Sequence, residues 1–330
     1  MSRILYLPNS HCQQRQLEKP NFLAYPVILA MEAQKYRIEG HDVSWGNAIG
    51  KYDKIISQPE GLPFLSLPHP DRVFTRAKNP MYQRNGNFKY LPATYIQSAS
   101  GCWWGKCEFC VEKGKPYEVR PVEDVISEIE ECKRMGFREV FDDSATFPTR
   151  RWLDVFCSRM GTHKKLSCLP TYFGCNVRLC DYPWDSMYHG NFRMLLFGLE
   201  SANQVTLDKI SKGVKVEDVK YIIKAAKCGL SPHVAVMFGY PWETDSDAVA
   251  TLRLVWWLLK KGYAKTAQAS LYSPTGNSKH HKYCKQIYGI SLSPQFWYNK
   301  LRNIHNIDDL KYLWRQMKAG INDLGVHTSV

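Results

Sequence analysis

Three cysteines in one short segment have the type and spacing to do chemistry. Cys102, Cys107 and Cys110 lie in the segment GCWWGKCEFC, with four residues between the first two and two residues between the last two. Three soft thiolates on one loop can converge on a single metal centre. The spacing alone leaves open a structural zinc site, a plant-type [2Fe–2S] site, and a cluster that keeps one iron free of protein ligands.

The other cysteines do not complete a closed zinc site near this loop. Such a site needs a fourth Cys or His at comparable range. The next cysteine, Cys132, falls on the apolar face of a predicted helix, where a packed thiol is expected. The plant-type ferredoxins share the spacing, but their small all-β architecture does not match this chain. We expect Cys175 to face the mouth of the fold. The remaining cysteines are expected to be ordinary free thiols: Cys12, Cys132, Cys157, Cys168, Cys180, Cys228 and Cys284.

From about residue 94 the chain alternates short β-rich runs with longer helical patterns, which predicts an α/β fold. Three segments have helical apolar periodicity and end at glycines: PVEDVISEIEECKRMG, VEDVKYIIKAAKCG and SDAVATLRLVWWLLKKG. Strands that alternate with helices pair in parallel through right-handed crossovers, and functional residues then lie at the C-terminal ends of the strands. The six predicted strands are Thr94–Ser98, Glu139–Asp142, Thr171–Cys175, Met194–Gly198, His233–Gly239 and Ala267–Tyr272.

The two ends of the chain depart from this alternation. Residues 1–90 start like a Rossmann-like unit and then reach a proline-rich stretch, which indicates a truncated N-terminal cap. Residues 91–276 form the predicted core, and residues 277–330 a basic, aromatic extension with a helix near Leu310–Leu324. In the cap we predict strands at Ile4–Pro8, Val43–Trp45 and Lys54–Ser57 and a helix at Asn21–Tyr36.

The composition describes an ordered and basic chain. Its 330 residues carry a net charge of +13 and 13% aromatic residues, which suggests an anionic partner. Residues 276–330 hold eight Lys and Arg against three Asp, interleaved with aromatic residues, a combination that binds nucleic acid or lines a peptide groove. No apolar run is long enough for a membrane span or for the hydrophobic region of a signal peptide. We therefore expect a cytoplasmic protein without a membrane partner.

The cysteine loop and several predicted strand ends together resemble the radical SAM superfamily. In that family a cysteine loop follows the first strand of a partial (β/α)6 TIM-like barrel, with an aromatic residue before the last cysteine, as Phe109 is here. The usual spacing is C-x3-C-x2-C, and this sequence has one residue more. The other segments that carry the resemblance, which extends to the cobalamin-type and methylthiotransferase-like branches, are Phe141–Ser144, Cys175–Arg178, Phe197–Ser201, Met237–Thr244 and Ser273–Gly276.

The resemblance implies a mechanism and a set of site residues. It implies that Cys102, Cys107 and Cys110 hold a [4Fe–4S] cluster, whose fourth iron binds S-adenosylmethionine (SAM). It also implies a low-potential electron donor of the flavodoxin or ferredoxin type. In the same way, Glu200 is expected to bind the ribose or the ammonium of SAM, and Ser201 its carboxylate. The further expected cofactor contacts are Arg178 at the carboxylate, Phe109, Gly239 and Tyr272 near the adenine, and Asp142 and Asn176 at the strand ends.

The resemblance leaves the reaction open. We expect hydrogen abstraction from a larger substrate, a nucleic acid or a peptide. Bound cobalamin is possible but disfavoured, because the cap is short and has no D-x-H-x-x-G motif. The alternatives are a cobalamin-dependent radical SAM methyltransferase and, from another class, an iron–sulfur electron carrier or a zinc-stabilised binding module. The pair Asp142 and Asp143 either orients SAM or substrate, or caps the helix that follows.

Overall fold

A curled parallel sheet forms the centre of the fold. The computed structural model describes residues 2–7, 24–46, 50–83, 87–163, 172–272, 291–292, 304 and 306–323. The strands are β1 (Arg3–Tyr6), β2 (Asp42–Trp45), β3 (Lys54–Ile56), β4 (Ala93–Ile96), β5 (Ala99–Ser100), β6 (Glu118–Val119), β7 (Glu139–Asp142), β8 (Tyr172–Val177), β9 (Phe192–Glu200), β10 (Ser231–Phe238), β11 (Thr266–Leu271) and β12 (Ser291–Leu292).

Helices connect these strands and cover one side of the sheet. They are α1 (Val27–Ile38), α2 (Pro80–Gln83), α3 (Val122–Arg134), α4 (Arg150–His163), α5 (Trp184–His189), α6 (Gln204–Lys209), α7 (Val219–Lys227), α8 (Asp245–Lys260) and α9 (Ile307–Asp323), with short 3-10 helices at Phe64–Ser66 and Val216–Asp218. None of the helices in the described ranges is long and apolar enough to cross a membrane.

The main sheet has the order β12-β11-β10-β9-β8-β7-β4. Every neighbouring pair from β4 to β11 is parallel, and the two-residue strand β12 pairs antiparallel with β11 at the edge. The six parallel strands curl into a half-barrel. The predicted partial (β/α)6 barrel is therefore confirmed, with all six strands close to their predicted positions.

The two faces of the half-barrel have different surroundings. Phe173 in β8 packs against Phe156 of α4, with ring centroids 5.2 Å apart, so this position faces the helices. Because side chains alternate along a strand, Cys175 also faces the helices, and Asn176 faces the concave side. Cys175 is fully buried there. The expectation that it faces the mouth is wrong, because β8 continues to Val177 and its alternation puts residue 175 on the helix side.

The concave face is open. In the middle of the sheet Gly198, Ala235 and Gln268 are aligned across three adjacent strands, and all three are half-buried. Asn176 on β8 and Ser270 on β11 are half-buried in the same way. The helix-facing positions between them are closed by the apolar core. The half-barrel thus has an accessible inner wall of small and polar residues.

Local sequence explains the limits of the main helices. Helix α3 buries Val125, Ile126 and Ile129 on one face and is followed by Gly136 at φ +83°, a left-handed conformation that ends a helix. Helix α8 begins with a capping box, in which Thr244 and Asp247 bond each other's backbone N–H. Both helices lie where the apolar periodicity predicts them.

The N-terminal residues form a small parallel sheet of their own, in the order β2-β1-β3. Its strands lie where they are predicted, but α1 runs from Val27 to Ile38 instead of Asn21 to Tyr36. Tyr25 precedes a proline, which disfavours helical backbone, so the helix begins only after Pro26.

A buried ion network joins the N-terminal part to the half-barrel. Glu128 of α3 is fully buried between the guanidinium groups of Arg72 and Arg120, with one carboxylate oxygen bonded to each. Burial acts against the charged form of Glu128, but the two arginines outweigh it and hold the pKa of this carboxyl below its usual range. Arg72 also donates to the backbone oxygen of Tyr95 in β4 at 2.9 Å.

The C-terminal helix packs against α8, where Trp314 Nε1 donates to Asp245 Oδ1 at 2.8 Å. It runs from Ile307 to Asp323, close to the predicted helix. Several predictions fall outside the described residues: the segment Ser273–Gly276 after β11, the thiols of Cys12, Cys168 and Cys284, and the basic residues Lys279, Lys282, Lys285, Lys300 and Arg302.

Candidate iron–sulfur and SAM site

The three cysteines lie on one loop at the C-terminal end of β4, between β5 and β6. All three are free thiols; Cys107 is buried, and Cys102 and Cys110 are half-buried. Burial, with smaller contributions from the other two thiols, raises the pKa of Cys110 to about 11, so the three groups are electrostatic neighbours. Within the described ranges, no three His, Cys, Asp or Glu side chains are grouped closely enough to hold a metal ion.

Two glycines allow the chain to close this loop. Gly101 has φ +72°, and a Cβ at this position would collide with the backbone oxygen of Pro116 on the returning strand. Gly105 has φ +57°, and its oxygen accepts a hydrogen bond from Gly114 N at 3.0 Å. The loop is therefore folded back on itself, through a close approach that only glycine permits at residue 101 and a left-handed conformation that glycine favours at residue 105.

Asp142 anchors the beginning of the loop. It is fully buried at the end of β7, and its carboxylate accepts hydrogen bonds from the backbone and side chains of Ser98 and Ser144. Ser144 Oγ in turn accepts from Ala99 N at 2.9 Å. Burial raises the pKa of Asp142, and these hydrogen bonds oppose the shift. The structure thus gives Asp142 a bracing position between β7 and the cysteine loop. Its contact with SAM stays a prediction.

Asp143 has the opposite surroundings. Its backbone N donates to Ile96 O at 2.9 Å, and its side chain is solvent-exposed. Alternation along the strand puts it on the concave side, beside Asn176 of the next strand. The sequence predicts Asp142 as the cofactor contact. The alternation of side chains along the strand places Asp142 and Asp143 on opposite faces of the sheet, and only Asp143 is on the concave side.

Two tryptophans clamp the cysteine loop between distant segments. Trp103 Nε1 donates to Phe147 O at 3.3 Å, and Trp104 Nε1 donates to Ser211 O at 2.9 Å. The Trp104 ring also packs on Gly213, which has φ +65° and where any Cβ would collide with the indole. Both tryptophans belong to the spacer between Cys102 and Cys107 that is one residue longer than usual.

Arg178 completes this clamp. Its guanidinium carbon lies 4.5 Å from the ring centroid of Trp104 and 5.3 Å from that of Trp103. One of its nitrogens donates to Lys212 O at 2.6 Å, and the residue is only 6% exposed. The sequence predicts this arginine as a partner of the SAM carboxylate, whereas the structure shows it stacked on the loop tryptophans. The SAM contact stays a prediction.

Glu200 forms a buried ion pair at the end of β9. Its Oε1 lies 2.7 Å from Lys212 Nζ, and both side chains are about nine-tenths buried. Glu200 has φ +63°, a strained conformation for a non-glycine residue, and its side chain folds over Gly198, where a Cβ would collide with it. Phe109 also belongs to this group, because Lys212 Nζ lies 5.6 Å from the centroid of its ring.

Lys212 is the central residue that sequence reasoning missed. It contacts Glu200, Phe109 and Arg178, and together with Arg178 it opposes the effect of burial, which raises the pKa of Cys107. In the sequence, this lysine lies in the segment SKG, before a glycine and shortly after the strand that ends in Glu200. Nothing in that segment indicates that the lysine folds back onto the strand end.

Ser201 and Tyr272 are buried in other contacts. Ser201 is fully buried, and its Oγ accepts from Asn203 N at 3.1 Å, so it braces the turn before α6. Tyr272 is 4% exposed, packs on Tyr240 with centroids 4.6 Å apart, and donates its backbone N–H to Phe238 O at 2.8 Å. The structure does not bring Ser201 to the group around Lys212, and the SAM contacts predicted for these two residues stay predictions.

Gly239 lies in a braced turn after β10. It has φ +81°, and its N–H donates to Glu243 Oε2 at 2.8 Å. The other oxygen, Glu243 Oε1, is buried without a hydrogen-bond partner in the described structure, and burial raises the pKa of Glu243 to about 8. Asn176, the last predicted contact, donates to Ser144 O at 2.9 Å and is half-buried on the concave side.

The donor types fit a soft metal cluster, in which each cysteine would bind a different iron, so the three sulfur atoms would not need to meet at one ion. Cys102, Cys107 and Cys110 are the only donors on this loop with soft sulfur atoms, and the thiolate is the form that binds metal. The cationic groups of Lys212 and Arg178 act on the buried Cys107 in the direction that favours thiolate. These residues could hold an iron–sulfur cluster, and the Glu200–Lys212 pair beside them could bind the polar part of a cofactor.

Comparisons with known proteins point to one enzyme superfamily. Residues 96–255 match the radical SAM superfamily. A protein of Methanocaldococcus jannaschii with the provisional name of a methylthiotransferase is 27% identical over 210 residues, which cover 60% of this chain and 44% of that protein. An uncharacterized methyltransferase of Pyrococcus horikoshii is 25% identical over 203 residues, 58% of this chain and 42% of that protein. Each match spans less than half the length of the curated relative.

A solved structure shares the fold. It is the radical S-adenosylmethionine methyltransferase TsrM from Kitasatospora setae, with tryptophan substrate and the SAM analogue aza-SAM bound. Its TM-score is 0.50 at 17% identity, over 65% of this chain and 39% of that chain. The match of residues 96–255 to the radical SAM superfamily supports a radical SAM enzyme. Members of that superfamily use a [4Fe–4S] cluster, SAM and a reductant.

Proposed function

We propose that this enzyme cleaves SAM reductively at a [4Fe–4S] cluster held by Cys102, Cys107 and Cys110. A cluster held there would supply the electron that splits SAM into methionine and a 5′-deoxyadenosyl radical, and that radical would take a hydrogen atom from the substrate. A low-potential donor of the flavodoxin or ferredoxin type supplies the electron. The observation that carries the proposal is the clamped three-cysteine loop beside the buried Glu200–Lys212 pair.

The residues around the loop have separate tasks in this proposal. Trp104 and Arg178 hold the loop against residues 211–213 and keep water from its inner side. Glu200 and Lys212 orient the amino-acid part or the ribose of SAM, because their paired carboxylate and ammonium offer an acceptor and a donor in a largely buried site. Phe109, Gly239 and Tyr272 remain the proposed contacts of the adenine. The protein thus supplies binding and orientation, and the cofactors supply the chemistry.

The open inner wall is the proposed place for the reacting part of the substrate. Gly198, Ala235 and Ser270 leave space there, and Asp143 and Gln268 offer polar groups. Because Asp143 lies on this wall and the Arg178 and Lys212 cations are already engaged, the wall suits a neutral or cationic group better than a phosphate. We propose a larger substrate, a nucleic acid or a peptide, in a cytoplasmic setting.

Anaerobic reconstitution tests this function. The protein is loaded with iron and sulfide, reduced with dithionite and incubated with SAM, and 5′-deoxyadenosine is measured by chromatography. We expect its formation by the wild-type enzyme and its absence with Cys110→Ala. Cys228→Ala is a matched control, because Cys228 is a half-buried free thiol at the end of α7, away from the loop. A wild-type yield equal to that of Cys110→Ala would refute the proposal.

A second candidate reaction is cobalamin-dependent methyl transfer. It is supported by the names of the two curated relatives, which refer to methyl or methylthio transfer, and by the parallel sheet β2-β1-β3. Incubation of the reconstituted protein with hydroxocobalamin, followed by desalting, tests it. Retention of the corrinoid absorbance at one equivalent per chain would favour this reaction, and its complete loss would exclude bound cobalamin under these conditions.

A further inference from the structure

Tyr117 has a hydroxyl group that the rest of the protein leaves without a partner. The hydroxyl oxygen is buried, and no described residue lies within hydrogen-bond distance of it. A buried polar group without a partner costs about 1–3 kcal/mol, which phenylalanine at the same position would avoid. The hydroxyl therefore calls for a partner outside the polypeptide.

The backbone puts Tyr117 next to the first cysteine of the loop. Strands β5 and β6 pair antiparallel with Ser100 opposite Glu118, so the next position brings Tyr117 opposite Gly101. The two chains approach closely there, because a Cβ on Gly101 would lie 3.3 Å from the Cα of Tyr117. Cys102 is the next residue along the loop. The aromatic ring thus starts from the strand that returns alongside Cys102.

The charged groups that act on this hydroxyl do not form a hydrogen bond with it. Charges at Asp142 and Cys102 add to the effect of burial, which raises the pKa of Tyr117 to about 12, so both groups are neighbours of the phenol. The Asp142 carboxylate is already bonded to Ser98 and Ser144. A phenol with an ordinary pKa near 10 is protonated at neutral pH and can donate. Of the two charged groups that act on this phenol, only the Cys102 side offers an acceptor that is not already bonded, namely sulfur.

We propose that Tyr117 is a positioning residue for the cluster, whose hydroxyl donates a hydrogen bond to a sulfur atom on the Cys102 side. The proposal rests on the proposed function, because it requires an iron–sulfur cluster on the three cysteines. Hydrogen bonds to the sulfur atoms help to set the potential of such clusters. The bond stabilises the more negative, reduced cluster and thereby eases acceptance of the electron.

The test is a redox titration of the reconstituted cluster without SAM, followed by EPR. We expect Tyr117→Phe to lower the equilibrium constant for reduction about tenfold, a shift of about 59 mV to lower potential for a one-electron couple. Tyr6→Phe is the matched control, because the Tyr6 hydroxyl is also buried without a described partner but lies in the small N-terminal sheet. This control should keep the wild-type potential.

A second measurement detects the bond directly. In deuterated buffer, pulsed EPR of the reduced wild-type cluster should show an exchangeable deuteron that is absent in Tyr117→Phe. An unchanged potential in Tyr117→Phe, or the same deuteron coupling in both proteins, would overturn the role of Tyr117 and leave the cluster proposal intact. A wild-type protein that binds no cluster after reconstitution would overturn both.

Discussion

Replacement of Gly213 by alanine tests whether Trp104 holds the cysteine loop in place. A second glycine variant measures the cost of backbone strain alone. Gly213 has φ +65°, and the added Cβ would collide with the Trp104 ring, so the indole must leave its place. Gly262→Ala is the matched control, because Gly262 has φ +71° but its Cβ would have no atom within 4 Å. Both variants lose about 1–2 kcal/mol because a left-handed conformation is unfavourable for alanine.

The additional effect in Gly213→Ala follows from the contacts of Trp104. Displacement of the indole removes the hydrogen bond to Ser211 O, about 1 kcal/mol, and the contact with the Arg178 guanidinium, about 0.5–2 kcal/mol. Gly213→Ala should therefore unfold with a free energy about 2 kcal/mol lower than that of Gly262→Ala. Because Trp104 lies between two of the cysteines, Gly213→Ala should also retain less iron after reconstitution.

Urea denaturation of the metal-free proteins measures the first effect, and iron and sulfide analysis after desalting measures the second. Gly262→Ala should keep the wild-type iron content. Equal unfolding free energies for the two variants, together with equal iron contents, would show that Trp104 does not hold the loop and would refute the reasoning.

Three further predictions concern charged groups near the site. Asp142→Asn should lower the free energy of unfolding in urea by about 1–3 kcal/mol, because it disrupts a buried network, and Asp143→Asn, on the open side, by less than about 0.5 kcal/mol. Equal effects would contradict the assigned faces. Lys212→Met should cost about 3–5 kcal/mol of stability by leaving Glu200 buried and unpaired, and Lys212→Met/Glu200→Gln should recover most of it in the same assay. Because the pKa of Glu243 is raised from 4.5 to about 8, its folded form holds a proton that the unfolded form releases, so stability falls as pH rises through this window. Glu243→Gln should flatten that dependence in urea titrations between pH 5 and pH 8, and an unchanged slope would contradict the shift.

The six strands of the half-barrel and most of the long helices could be predicted because they depend on local patterns, although the 14-residue helix α4 was not among the predicted helices. The apolar periodicity of α3 and its terminal Gly136 determine that helix without reference to other parts of the chain. The start of α1 was predicted too early, because the proline at residue 26 limits the helix more than the apolar pattern extends it. Shorter helices such as α5 and α6 were not predicted, because six residues are too few for a periodic signal.

The sequence by itself determined the cysteine loop with Phe109, the six parallel strands, and the strand ends at which Asn176 and Glu200 lie. These features depend on residue types at short spacing, and a parallel α/β arrangement leaves few alternative topologies.

Only the tertiary structure decided what each side chain at the site contacts. Asp142 braces the loop, and Asp143 lies on the open face. Arg178 stacks on the loop tryptophans, and Lys212 pairs with Glu200. These outcomes follow from the pleat of β7, from the left-handed backbone at residue 200 and from the packing of residues that are distant in sequence. Packing between such residues depends on the complete fold, so no short segment of the sequence specifies it.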